Sequence, residues 1–330
     1  MERKTRLAVY SAAHFWVDLS CAFLVFRTLP QAGNYALCLL LYNFCAFALQ
    51  MPLGLLADRL DRNGAVATFG CALTALAYAV PVPAAAAVTA GVGNALFHLG
   101  GGIDVLNTCE KKAAALGVFV SPGALGLYIG TLWGRAAAAP LWIGPVGLLL
   151  LGGVIFRVAG RRSGNAPVDT MPTKDGWVLA PLFFVVVLRS WMGMQPIFPW
   201  KSEGRWALVL TLFLVLGKTV GGILMDRLGP RMTSAVTLLP AAALYLAAHV
   251  PAAGLAAVFL FNMTMPITLW AAARVMPGAK GFAFGLLTFA LFLGFLPAYF
   301  GFVSQSVFVM AIIGAGSLVL MIGGWKEGGA

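Results

Sequence analysis

The sequence predicts an all-α polytopic membrane protein, with twelve transmembrane helices in two pseudo-symmetric six-helix bundles. Three observations carry that prediction. Of 330 residues, 61% are hydrophobic and 10% charged, and the mean hydropathy is +0.90; a soluble domain carries charge at about 25% of positions. The apolar residues gather in twelve runs, each near the length of about 20 residues that crosses a bilayer as a helix. Finally, Gly54-Leu55-Leu56-Ala57-Asp58-Arg59-Leu60 recurs 168 residues later as Gly222-Ile223-Leu224-Met225-Asp226-Arg227-Leu228. The same offset pairs Asn94 with Asn262, Lys112 with Lys280, Gly117 with Gly285 and Gly126 with Gly294. Scattered matches at one offset mark a duplication, as in transporters built from repeated halves.

The runs lie at roughly 6–27, 34–56, 64–80, 82–108, 113–134, 138–158, 177–196, 205–225, 231–249, 251–272, 280–301 and 304–324. The sixth and seventh are joined by the longest connection, 159–176, rich in Gly, Pro, Ser and charge, which reads as a flexible cytoplasmic linker. The expected division is therefore 1–158 for one bundle, 159–176 for the linker and 177–330 for the other. The outer connection at 193–205 reads as a short turn anchored by Trp200 and Trp206.

Arg3, Lys4, Arg6, Arg59, Arg62, Lys111, Lys112, Arg157, Arg161, Arg162, Lys174, Arg227, Arg231, Arg274, Lys280 and Lys326 all fall on one side, 16 of the 22 basic residues. By the positive-inside rule that side is the cytoplasm, which puts both termini there and the chain in the plasma (inner) membrane. The net charge of +11 follows from this asymmetry and calls for no nucleic-acid partner. The charged N-terminus is not expected to open a cleaved signal peptide, because the following apolar stretch is too long and carries His14 and Asp18. Cys21, Cys38, Cys45, Cys71 and Cys109 lack metal-ligand spacing and read as small core residues. Neither a cofactor nor a metal is expected. No nucleophile–base set appears either, so an enzyme is not expected.

The two turn segments, GLLADRLDRNG and GILMDRLGPRM, resemble the Gly-x-x-x-Asp-Arg-x-Gly-x-Arg/Lys signature of the major facilitator superfamily. Gly54 and Gly222 suit close helix approach, and Asp58 and Asp226 can pair with Arg or meet a helix N-terminus. The resemblance implies the major facilitator fold, and an inner gate built from Gly54, Asp58, Arg59, Arg62, Gly222, Asp226, Arg227 and Arg231. The first copy departs from the signature at Asp61, where Gly is usual, and at Asn63, where a basic residue is usual. Ala13-His14-Phe15-Trp16-Val17-Asp18, Asn94-Ala95-Leu96-Phe97-His98 and Pro277 to Leu286 resemble segments of fosmidomycin-resistance-type efflux proteins. Where that branch has Pro after the fourth-span His, this chain has Leu99, so no substrate is carried over. Gly117, Ser121, Pro122 and Gly126 resemble the antiporter motif of drug exporters; a simple proline kink is the equal alternative.

A charge inside a span is costly unless paired or hydrated, so each is a functional candidate. His14 and Asp18, four apart, share one face of the first helix, and Asp18 lies roughly 18 Å from its inner end. Asn94 and His98 share a face of the fourth. In the superfamily these helices line a central cavity. His14, Asp18, His98 and, secondarily, Asp104 are therefore proton-coupling candidates, with a His–Asp packing bond as the structural alternative. Arg189 and Lys218 lie near mid-depth of the seventh and eighth spans. They either neutralise Asp18 and Asp104 or bind an anionic substrate, for which Arg offers a two-pronged fork. Trp191, Gln195, Asn262, Thr264 and Asn94 complete the substrate-binding candidates, whereas Phe289, Phe292 and Phe295 read as packing.

The expected function is a monomeric secondary transporter whose partners are protons, a small-molecule substrate and the lipid bilayer. Proton-coupled export of a small amphiphilic or anionic compound is the leading expectation. Proton-coupled uptake and a non-transporting sensor on a carrier fold are the alternatives.

Overall fold

Each apolar run becomes helix because a backbone in lipid must satisfy its own N–H and C=O groups within the segment. The structure, a computed structural model, describes residues 2–108, 112–159, 164–195 and 197–324. Cys109, Lys111, Arg161, Arg162 and Lys326, which the sequence places in the core or on the cytoplasmic side, lie outside the described residues. Among the described residues there are twelve long helices and no strand. They are α1 (Glu2–Arg27), α2 (Tyr35–Leu60), α3 (Asn63–Ala77), α4 (Pro83–Thr108), α5 (Ala113–Ala136) and α6 (Ile143–Val158). Then follow α7 (Leu179–Gly193), α8 (206–228), α9 (230–245), α10 (Pro251–Val275), α11 (Lys280–Tyr299) and α12 (Val307–Gly323). Every expected span has its helix.

Helices α8 and α9 are two arms of one helical run, Trp206–Tyr245, broken at Gly229, whose φ of 77° and ψ of 167° are not helical. Unbroken, its 40 residues would reach about 60 Å, twice the hydrocarbon thickness. Pro230 then restarts the helix at a position where a missing N–H costs nothing. Helix α2 widens into a π-turn at Phe44–Ala48, shortly before Pro52 removes a backbone donor. Seven helical stretches are long and apolar enough to cross a membrane, and α3, α6 and α12 are shorter apolar helices. Helix α4 stands outside both groups and carries Asn94, His98 and Asp104. On α12, Phe308, Ile312 and Val319 share one face at 69%, 69% and 70% exposure, an outward apolar stripe suited to lipid and not to water.

Contacts divide the chain into two units. One holds Met1–Glu110, Phe119–Thr170 and Gly278–Phe289; the other holds Lys111–Val118, Met171–Pro277 and Ala290–Ala330. In the first unit α3 packs tightly on α4, where a side chain at Gly93 would run into Thr74 and the carbonyl of Gly70. Tyr10, Phe23, Phe97 and Phe119 are fully buried there. In lipid such burial gains packing and not hydrophobic transfer, which is why small residues set the spacing. In the second unit, the arms α8 and α9 pack with α10 and α12, and α7 with α12. Cys21, Cys38, Cys45 and Cys71 are buried free thiols. Trp200 turns inward, donating from Nε1 to the Ala248 carbonyl at 2.9 Å beside Trp206.

The segment expected to be a flexible linker is pinned in its described part, 164–175. Asn165 accepts from Asn63 Nδ2 at 2.9 Å and Asn107 Nδ2 at 2.7 Å, and donates to the Asp58 carbonyl at 3.2 Å. Its backbone N–H meets Asp61 Oδ1 at 2.8 Å, and Thr173 N donates to the Val275 carbonyl at 2.9 Å.

Candidate functional site

Three places gather the chemistry. The first is the repeated turn. Asp58, 5% exposed at the end of α2, accepts from the backbone N–H of Gly281 at 2.8 Å and of Phe282 at 3.0 Å, both in the first turn of α11. Asp226, at the end of α8, accepts from Ala113 N at 2.7 Å and Ala114 N at 3.1 Å, in the first turn of α5. Each carboxylate thus meets two orphan N–H groups and the positive end of a helix. Gly54 and Gly222 allow the approach, since a side chain on either would strike backbone at Gly281 or Ala113. Of the two partners the motif offers, the helix N-terminus is the one both carboxylates contact; Arg59, Arg62, Arg227 and Arg231 are exposed. Lys280 Nζ donates to Asn107 Oδ1 at 2.9 Å in the same neighbourhood.

The second place is a cluster on α1 and α4. His14 Nε2 lies 3.3 Å from Asp18 Oδ2, His98 Nε2 lies 3.6 Å from Asp18 Oδ1, and the two Nε2 atoms are 3.0 Å apart. His14 Nδ1 contacts the Phe119 carbonyl at 2.7 Å, and His98 Nδ1 the Asn94 carbonyl at 2.9 Å. A carbonyl only accepts, so each Nδ1 carries its proton and each neutral Nε2 presents a lone pair. Two lone pairs and a carboxylate converging at these distances offer a place for one positive charge, a shared proton or a cation. Asn94 donates from Nδ2 to Asp18 Oδ1 at 3.3 Å and to Cys21 Sγ at 3.5 Å. Phe97 and Phe119 flank the His14 ring, with centroids 6.1 and 4.8 Å away.

Helix α5 makes room for this cluster. A side chain at Gly123 would strike the His14 ring and the Asp18 carboxylate, and one at Gly126 the Phe15 carbonyl. Pro122 sits inside α5, Ser121 is buried there, and Gly117 lies against the backbone of Lys218 and Thr219. Asp104, further along α4, is buried beside Tyr10 and Arg6 at a cavity of about 10 Å³ and does not join the histidines.

The third place is in the second unit. Arg189 on α7 is 9% exposed, and its Nη1 and Nη2 donate to Thr264 Oγ1 and Thr268 Oγ1, each at 3.4 Å. It borders a cavity of about 170 Å³ lined also by Met192, Gln195, Lys201, Tyr245 and Asn262. No carboxylate lines that cavity and none pairs with Arg189 among the described residues. Gln195 is held at both ends, donating to the Trp191 carbonyl and accepting from Ser304 N, each at 2.6 Å.

The candidates therefore separate. His14, Asp18, His98 and Asn94 come together; Arg189, Gln195, Asn262 and Thr264 come together; Lys218 and Trp191 are half-buried and outside the cavity lining. Gly123, Lys201 and Asn165 were missed. Gly123 could have been found from the Gly123–Gly126–Gly130–Gly134 spacing along one helix face. Lys201 and Asn165 sit in irregular connections, where no periodicity points inward.

No protein-family model matches the chain, and no curated protein matches it. Solved structures do. The major facilitator superfamily transporter FucP in its outward conformation is 13% identical, with TM-score 0.73 over 99% of this chain and 100% of that one. A variant of the Escherichia coli fucose:proton symporter FucP is 14% identical, with TM-score 0.67 over 99% and 100%. The human organic anion transporter MFSD10 is 15% identical, with TM-score 0.72 over 97% and 99%. At these identities the likeness speaks for architecture: the chain has the major facilitator fold.

Proposed function

We propose that the protein is a secondary transporter of the inner membrane, exporting a small organic anion in exchange for protons by alternating access. The observation that carries this reading is Arg189. A buried guanidinium with two long contacts to threonine hydroxyls and no carboxylate partner among the described residues is costly in a span. An incoming carboxylate or phosphonate would relieve that cost through a two-pronged bond, with Lys201 adding charge at the same cavity. One structure of this fold is described as an organic anion transporter, which supports the substrate class.

The exchanged charge is assigned to His14, Asp18 and His98, whose convergent lone pairs and carboxylate take up a single positive charge. Asp58 and Asp226 serve as the inner gate, each capping a helix that must part from it when the cytoplasmic side opens. The efflux-like segments around His14 and His98 and the Pro122 segment favour outward transport. Uptake by symport uses the same residues in reverse, and a structure of this fold is described as a fucose:proton symporter. Proteoliposomes with an imposed pH gradient separate the two, because anion and proton run in opposite directions only in the export reading. An Arg189→Gln variant that retains wild-type affinity for every organic anion tested sinks the substrate claim. An Asp18→Asn variant whose transport stays fully driven by the pH gradient sinks the coupling claim.

A further inference from the structure

We propose that His14, Asp18 and His98 form a three-ligand site for a divalent ion of the zinc class. The first argument is spacing. A tetrahedral zinc ion with bonds of about 2.0–2.1 Å holds its donor atoms about 3.3–3.4 Å apart. The two Nε2 atoms lie 3.0 Å apart, His14 Nε2 lies 3.3 Å from Asp18 Oδ2 and His98 Nε2 3.6 Å from Asp18 Oδ1, and one donor atom from each residue can be taken so that all three lie within 4.8 Å of one another. The two imidazoles and one carboxylate oxygen supply three of the four ligands of a tetrahedral ion, with the fourth position left for water or an exchangeable ligand.

The second argument is orientation. A zinc-binding histidine donates its other ring N–H to a carbonyl or carboxylate, which fixes the tautomer and aims the lone pair. Both histidines have that support: Nδ1 of His14 on the Phe119 carbonyl and Nδ1 of His98 on the Asn94 carbonyl. Asp18 is steadied in turn by Asn94 Nδ2 at 3.3 Å. The packing of His14 between Phe97 and Phe119 keeps its ring from swinging away.

The donor set then selects the metal. Two imidazoles and one carboxylate suit zinc, cobalt or nickel, and are a poor match for calcium or magnesium, which take oxygen ligands. Two neutral imidazoles and a carboxylate carry one negative charge, so a divalent ion leaves the site at +1. The Asp18 side chain is 22% exposed and His98 13%, which gives an ion its approach. This inference does not require that the chain transport anything, and its test reads the metal directly.

The test uses the purified full chain in detergent, with Zn²⁺ alone as the probe and Mg²⁺ as comparison. Expected are one tightly held Zn²⁺ per chain, no Mg²⁺ at equal concentration, and a four-coordinate visible spectrum when Co²⁺ replaces Zn²⁺. On the unmutated chain, Zn²⁺ is expected to shield His14 and His98 from diethylpyrocarbonate while exposed His249 stays reactive. Asp18→Asn and His98→Gln should each weaken binding at least about 100-fold, since even supporting groups are worth 10–100-fold; His249→Ala should change nothing. Absence of one-to-one binding, unshielded His14 and His98, or loss of binding on changing His249 overturns the proposal. Shielding on the unmutated chain decides the matter even if a variant fails to fold.

Discussion

Asp61 and Gly229 stand 168 positions apart, in equivalent places of the two motif copies, and both hold positive φ, 47° and 77°. The departure from glycine in the first copy therefore keeps the turn: Asp tolerates left-handed backbone better than most residues, and its carboxylate accepts from Asn165 N at 2.8 Å. Gly229, with ψ of 167°, occupies a region open essentially to glycine alone. Gly229→Val is expected to cost about 1–3 kcal/mol. Asp61→Gly should be near neutral, because relief of strain offsets the lost hydrogen bond. Denaturant or thermal unfolding in detergent measures both, and equal losses at the two positions would contradict the account.

The two motif carboxylates should differ in weight. Asp58 is 5% exposed and Asp226 is exposed, although each accepts two helix N–H groups. Bonds to a buried charge are worth about 1.5–3 kcal/mol, and charge at an exposed helix terminus about 0.3–1 kcal/mol. Asp58→Asn is thus expected to lower the melting temperature distinctly more than Asp226→Asn. The reverse order would show that exposure does not set their contribution.

Arg189 gives a prediction in which stability and binding move oppositely. Removing a buried charge that has no carboxylate partner among the described residues removes a desolvation cost. Arg189→Met should therefore melt at or above the wild-type temperature, while affinity for organic anions falls at least about 100-fold, or about 2.7 kcal/mol. A Met variant that is strongly destabilised would mean the guanidinium is structural.

Asn165 holds the described part of the connecting segment through five side-chain hydrogen bonds and one from its backbone N–H. Asn165→Ala is expected to lower local stability by about 1.5 kcal/mol, raising the rate of tryptic cleavage at Lys174 about tenfold. Unchanged cleavage would mean that the backbone bonds of Asp169 and Thr173 alone keep it in place.

Much of this architecture is legible in the chain because a bilayer leaves few solutions. Apolar runs of fixed length must be helices, and a repeated turn must recur in equivalent geometry, as Asp58 and Asp226 do on Gly281 and Ala113. The i, i+4 spacing put His14 beside Asp18. The pinning of 164–175 was not legible, since it rests on partners remote in sequence.

The sequence by itself determined the helices, their number and the repeat, because length, hydropathy and offset are properties of neighbours along the chain. Tertiary structure alone decided that Asn94 serves Asp18, and that the His14 and His98 nitrogens face each other. It also decided that Lys218 is not among the residues lining the Arg189 cavity. Helix rotation and the approach allowed by Gly123 fix those distances, and a rotation of one residue, about 100°, changes every partner without altering the hydropathy pattern.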